Sequence, residues 1–258
     1  MLTYQTLCPG VIQLKDDLDV CMTLLVGEKR ALLIDTGYGL SDLGALVREL
    51  IGPDRPLDVL LTHGHHDHAL GARFFPGVWL FPEDRPVYET YTGERWRRRV
   101  LASAAARGLA VDEAAFLAAP MPPASAPPEG LDLGGLRVRI LRVPGHTPGS
   151  ACVLVEDRVL ITGDDWNLTT WAFFPEAMGV RTLRENLRRL LALPFDGVIC
   201  SHQTGLYSRQ MLADFVAGLT DRALADAAPC GEGGEQRIDT VCLSPAPGQR
   251  LVFDRAKL

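Results

Sequence analysis

A chain of 258 residues with 47% hydrophobic and 22% charged residues has ordinary globular composition and enough apolar material for a sizeable core. Its net charge of -6 argues against nucleic acid or an anionic membrane as partner. No apolar run approaches the ~20 residues of a membrane helix, and MLTYQTLCPG lacks a basic segment followed by an apolar one, so the expected location is cytoplasmic.

Residues 11–14, 20–26 and 31–34 are apolar runs bounded by turn residues and predict short strands, with GEKR as the hairpin turn between the last two. Ser41 is placed to cap a helix carrying Leu43, Leu46, Val47 and Leu50, which Gly52 and Pro53 end. Residues 58–62 predict a buried strand that delivers the chain into HGHHDH. Residues 83–130 differ in character. An Ala- and Arg-rich, helix-prone stretch precedes PMPPASAPPEG, which suits neither a helix nor a central strand. This segment reads as a helical insertion or lid ending in an extended linker. The Arg97, Arg98 and Arg99 run within it reads as a solvated helix face rather than an anion site.

Leu136, Val138 and Ile140 alternate with Arg137 and Arg139, the period of a strand with one wet face. Residues 151–155 and 158–162 predict a hairpin running into GDDW. Thr182 with Glu185 has the spacing of a capping box, ahead of a stripe of Leu183, Leu187, Leu190 and Leu191. Residues 197–200 predict a strand leading to His202, and Ser208 can cap a helix holding Met211, Leu212, Phe215, Val216 and Leu219. Residues 237–253 predict two strands around a Pro/Gly turn. The order of elements suits a single domain over 1–258, built from two similar halves packed sheet on sheet with helices outside.

The six cysteines, Cys8, Cys21, Cys152, Cys200, Cys230 and Cys242, are dispersed with no C-x-x-C pair, which points to free thiols and away from zinc held by sulfur. Histidine is another matter. His63, His65 and His68 fall within six residues, with Asp67 among them. Neutral imidazole is the commonest ligand for zinc and iron. A loop leaving a strand can turn His63 and His65 toward one metal, and Asp67 with His68 toward a second. A histidine-rich surface tract is the competing reading, and the buried strand DVLLT directly before the cluster argues against it. His146 sits at the tip of a Pro/Gly turn, and Asp164 and His202 each follow a strand end.

HGHHDH resembles the signature of the metallo-β-lactamase superfamily. LLIDTG before it and PGHTPGS, ITGD and SHQTG after it arrive in that family's order, covering roughly residues 20 to 205. The resemblance implies an α+β fold, a four-layer αββα sandwich with metals at one edge, here carrying the helical insertion at about 83–130. It implies two divalent metal ions, most often zinc, with iron or manganese as alternatives. His63, His65 and His146 would hold the first; Asp67, His68 and His202 the second; Asp164 would bridge them. Asp35 would orient the metal loop by hydrogen bonds. His66 fills a variable position. In this chain the last histidine lies in Ser-His-Gln, where much of the superfamily has a flanking glycine, and Asp165 duplicates Asp164. Asp164 directly follows Thr-Gly, as in the family, so Asp165 reads as a loop cap.

The chemistry expected is hydrolysis by a metal-bound hydroxide, with Asp67 as the proton relay. Tyr207 is a candidate oxyanion donor that suits packing better; Trp166, Trp171, Phe173 and Phe174 suit either a pocket wall or the core. THGHHDH with PGHTPGS is similar to glyoxalase II and its lactonase relatives, which implies a small ester, thioester or lactone as substrate. A mononuclear iron oxidoreductase like the persulfide dioxygenases is the alternative, followed by a phosphodiesterase or nuclease. The partners expected are a small-molecule substrate and a second copy of the chain, if the insertion makes a dimer contact instead of folding over the pocket.

Overall fold

A computed structural model describes residues 1–232 and 238–258, in two compact units, Met1–Arg139 and Ile140–Leu258. The first unit is organised on a seven-stranded sheet. Strands β1 (Thr3–Cys8), β2 (Val11–Lys15), β3 (Cys21–Val26) and β4 (Ala31–Ile34) form an antiparallel meander. Helix α1 (Leu43–Ile51) then carries the chain back to β5 (Leu57–Leu60), which lies parallel to β4. The first five residues of β3 and all of β4 are buried, which is why these runs are almost wholly apolar. Helix α1 has only nine residues, too few to persist alone. Its stripe of Leu43, Val47 and Ile51 holds it to the sheet, at about 1.5–3 kcal/mol for each buried side chain. Its cap is not Ser41, as the sequence suggested, but Asp42, whose carboxylate accepts from Ala45 N at 2.9 Å. Asp42 directly precedes the first helical residue, and so it alone reaches the third amide.

Beyond β5 come a one-turn helix α2 (His66–Ala69) and β6 (Val78–Trp79). The helix-prone stretch forms α3 (Arg85–Tyr91), α4 (Glu94–Ala106) and α5 (Glu113–Ala118). Arg97 overturns the reading of a solvated arginine face. It is buried, and its guanidinium donates to the carbonyls of Thr92, Phe116, Leu117 and Ala119, joining the three helices. The last three carbonyls lie at the C-terminal end of α5, where a cation meets the negative end of the helix. Arg98 does face solvent, paired with Glu94 at 2.6 Å. The proline-rich stretch supplies β7 (Ala124–Ser125), which pairs parallel with β6 as the sheet's edge strand, a position proline tolerates. A hairpin of β8 (Gly130–Asp132) and β9 (Arg137–Arg142) follows, with Val138 and Ile140 buried and Arg137 and Arg139 exposed.

The second unit continues from β9 into the antiparallel pair β10 (Ala151–Val155) and β11 (Val159–Ile161). Next come β12 (Thr169–Ala172), α6 (Val180–Leu190), β13 (Gly197–Ile199), β14 (Tyr207–Ser208), α7 (Arg209–Gly218) and α8 (Asp221–Ala225). The chain ends in β15 (Ala228–Pro229), β16 (Thr240–Leu243) and β17 (Arg250–Asp254). One sheet follows the order β14-β13-β11-β10-β9; among the described residues a second follows β12-β17-β16-β15. Its β16 and β17 correspond to the strand pair expected over 237–253, whose first residue lies outside the described ones. The core gathers Leu183, Leu187 and Leu190 of α6 with Leu212, Phe215 and Val216 of α7. The expected capping box at Thr182 is absent. The helix begins earlier, at Val180, because that side chain is wholly buried and extended Gly179 offers its carbonyl to Thr182 N. Ser208 stands at the start of α7 without a side-chain cap bond. Among the described residues no helix is long and apolar enough to cross a membrane.

Candidate metal centre

In the first unit the site grows from two neighbouring parallel strands. Ile34 of β4 lies opposite Leu60 of β5, so Asp35 and Thr62 leave the sheet close together. Asp35 has φ of 62°, in the left-handed region, which aspartate tolerates better than most residues. The buried Asp35 carboxylate accepts from Thr62 N at 2.7 Å and from Thr62 Oγ1 at 2.8 Å. The same carboxylate faces Nδ1 of buried His68 at 2.9 Å. A proton on Nδ1 shared with Asp35 leaves Nε2 of His68 as a lone-pair donor, and that atom lies 3.6 Å from the Asp67 carboxylate. Thr62 Oγ1 also contacts His63 Nδ1 at 3.0 Å, which turns His63 Nε2 toward His65 Nδ1, again at 3.0 Å. Two nitrogens bound at ~2.0–2.1 Å in tetrahedral geometry lie roughly 3.3 Å apart. The His63–His65 spacing therefore suits two ligands of one small cation.

The short turn α2 is locked from behind. Thr36 donates both its N–H and its hydroxyl to His68 O, and a Cβ on Gly71 would sit 1.9 Å from Thr36 O. His66, on this turn, enters an aromatic cluster with Tyr38, Tyr91 and Trp96. Burial pushes its imidazole down to about 4, so its 3.7 Å approach to Asp67 is a contact of a neutral ring at pH 7.

In the second unit two imidazoles gather on one carboxylate oxygen. His202 Nε2 lies 3.1 Å and His146 Nε2 3.7 Å from Asp164 Oδ2. His146 Nδ1 sits 2.6 Å from Trp171 O, which fixes the proton there and leaves Nε2 as the lone-pair nitrogen. The His146 loop is held by Asp165, whose carboxylate accepts from His146 N at 3.0 Å, the loop-capping role its sequence position suggested. Asn167, which no spacing rule singled out, donates to Asp164 Oδ1 at 3.1 Å and accepts from His202 N at 3.1 Å. Gln203 takes the place of a flanking glycine and accepts from Leu168 N at 3.0 Å, anchoring the His202 loop.

The remaining aromatic candidates divide. Trp166 and Phe173 are core side chains; Trp171 is 46% exposed, and Phe174 meets the His146 ring edge-on at 5.5 Å. Tyr207 packs against Trp166 and donates to Thr204 O, the structural one of its two candidate roles.

Within each unit, imidazole nitrogens stand with carboxylates, their remote ring atoms already committed to Asp35 and Thr62 in the first and to Trp171 O in the second, and each group is of a kind suited to zinc, iron or manganese. Residues 16–202 match the model of the metallo-beta-lactamase superfamily. The chain belongs to the metallo-beta-lactamase superfamily of hydrolases. An acyl-coenzyme A thioesterase, MBLAC2, of Gallus gallus is 29% identical over 165 aligned positions, covering 57% of this chain and 59% of that one. An atrochrysone carboxyl ACP thioesterase of Aspergillus novofumigatus is 32% identical over 142 positions, covering 54% and 35%. A hydroxyacylglutathione hydrolase of Shewanella halifaxensis is 33% identical over 108 positions, covering 42% and 33%. The chain thus spans between about a third and three fifths of the length of these curated relatives. Among solved structures, TTHA1623 in a di-iron-bound form aligns at a TM-score of 0.54 and 25% identity, over 77% of this chain and 94% of that one. A beta-lactamase domain protein from Burkholderia ambifaria aligns at 0.60 and 23% identity, over 87% and 76%, and shares the α+β fold.

Proposed function

We propose that the protein is a metal-dependent hydrolase of small thioesters, with esters and lactones as chemically related substrates. In this reading His63, His65 and His146 hold one divalent ion, Asp67, His68 and His202 hold a second, and Asp164 serves both. The observation that carries it is the orientation of the rings. His68 is turned by Asp35 and His146 by Trp171 O, so that each presents Nε2 as a lone-pair donor. Metals so held supply a water of lowered pKa and polarise a carbonyl.

The chain's own residues supply the rest. Asp67, 15% exposed and beside His68, accepts the proton released by the attacking water and returns it to the leaving group. Asn167 keeps Asp164 and His202 in register. Trp171 and Phe174, beside His146, offer an apolar wall to an acyl chain. Thioester stands first because relatives of this chain are named for thioester hydrolysis. Zinc is the metal we favour, although the di-iron form of TTHA1623 keeps iron in contention. A cytoplasmic location fits the dispersed cysteines.

The test is one panel: acyl-coenzyme A and acyl-glutathione thioesters, an aryl ester, lactones, a phosphodiester and a β-lactam. Each is assayed with protein loaded with zinc, iron or manganese. Thioester turnover, lost in His65→Ala, is expected. Turnover of none of the carbonyl substrates in any metal form refutes the hydrolase reading, and oxygen uptake with a persulfide by the iron form would replace it.

A further inference from the structure

The metal loop leans on the helical insertion, and the contacts are specific. Gly64 lies between His63 and His65. Its N–H donates to Asp84 Oδ2 at 2.7 Å, and Asp84 is fully buried. Asp84 occupies the N-cap position of α3, where an aspartate ordinarily caps its own helix, yet its side chain makes no such bond. The carboxylate serves the metal loop instead. A Cβ on Gly64 would lie 2.3 Å from Tyr88 N and 2.8 Å from Tyr88 Cα, so the loop is seated directly on the α3 backbone. One turn further along α3, the Tyr91 ring meets the His65 ring at 4.4 Å and stacks on Trp96 of α4, also at 4.4 Å. The support is itself braced. Tyr88 donates its hydroxyl to Pro122 O at 3.0 Å, and buried Arg97 ties α4 to the ends of α3 and α5.

We infer that the helical insertion is the rigid backing of the metal loop, with Asp84 and Tyr91 as positioning residues that hold Gly64 and His65 in ligating geometry. Neither residue touches the metal or the substrate in this scheme; Asp84 acts through the Gly64 backbone and Tyr91 through the His65 ring. The inference rests on the metal reading above. It adds a role for residues 83–118 that precedes any part they play in choosing the substrate. Removing Asp84 strands the buried Gly64 N–H, which frees the loop to rotate. Removing the Tyr91 ring opens space behind His65.

The experiment titrates the full-length metal-free chain with cobalt(II), following the ligand-field spectrum and competition with a chromophoric chelator. Asp84→Ala is expected to weaken cobalt binding about 10–100-fold, the range seen when a partner of a ligand is lost. Asp84→Asn, whose amide oxygen can still accept from Gly64, is expected to recover most of that affinity. Tyr91→Leu keeps the apolar bulk but loses the ring contact, and is expected to broaden or shift the cobalt bands. It also carries the test should Asp84→Ala not fold. Wild-type affinity and spectrum in both Asp84→Ala and Tyr91→Leu overturn the inference while leaving the metal reading intact. A wild-type chain that takes up no cobalt overturns both.

Discussion

Asp35→Ala and Asp35→Asn are expected to separate fold stability from metal affinity. In the wild type one buried carboxylate accepts from Thr62 N and Thr62 Oγ1 and faces His68 Nδ1. Alanine leaves the Thr62 and His68 N–H groups buried without their acceptor, at about 1–3 kcal/mol each. The Thr62 hydroxyl, which donates to Asp35 and meets His63 Nδ1 at 3.0 Å, loses its acceptor as well and adds to this cost. Alanine must also adopt the backbone φ of 62°, which costs about 1–2 kcal/mol. The N–H and backbone costs together, about 3–8 kcal/mol, are a large share of the ~5–15 kcal/mol that holds a typical protein folded. Asparagine tolerates this φ, and its amide oxygen can still accept from Thr62 N, so its cost is about 1–2 kcal/mol. Its NH2 group, however, then faces His68 Nδ1, which must become the acceptor. The imidazole proton moves to Nε2, the atom that would bind the metal, and affinity falls about 10–100-fold. Urea unfolding of the metal-free chains, followed by circular dichroism, reads the first effect. Chelator competition reads the second. Wild-type metal affinity in Asp35→Asn, together with a loss under about 1 kcal/mol in Asp35→Ala, would refute this reasoning.

Other perturbations test other parts. Burial raises the Asp16 carboxyl to about 6 from an ordinary 3.8, although it accepts N–H bonds from Leu18, Val20 and Tyr38. The folded chain therefore holds this proton more tightly than the unfolded chain. Stability falls as pH rises from about 4 to about 6, on the order of 3 kcal/mol, and Asp16→Asn should flatten that slope in urea melts taken across the window. Arg97→Met removes the donor to four carbonyls around α3 and α5 and is expected to cost about 2–4 kcal/mol, visible as a lower melting temperature and faster tryptic cleavage at Arg107. Asn167→Ala unties Asp164 from His202; metal affinity should drop about 10-fold or more in chelator competition, and an unchanged value would remove Asn167 from the site's scaffold.

The local pattern was legible where one face of an element repeats a simple period. The strands at 11–15, 21–26, 31–34 and 137–142 followed from apolar runs and alternation, because each strand's burial is read along its own length. Caps were less legible. Ser41 and Thr182 had the right chemistry, but Asp42 and Gly179 occupy the starting positions, set by which side chain the helix first buries. Arg97 shows the larger gap. Beside Arg98 and Arg99 it looked like one more charge on a wet face, and only the return of α5 supplied carbonyls for it to meet.

The sequence alone determined which metal-ligating residue types the chain offers and their order. HGHHDH, the histidine turn at 146, the aspartate at 164 and the histidine at 202 are the residue types metal chemistry favours, and that preference is written in residue type. Tertiary structure decided the partners of those groups: Asp35 on His68, Thr62 on His63, Trp171 O on His146, Asn167 between Asp164 and His202, and Asp84 under Gly64. These contacts join atoms up to 35 residues apart, and such hydrogen bonds leave no period or spacing in the chain. They exist because neighbouring strand ends and a packed helix bring buried donors to acceptors they must have.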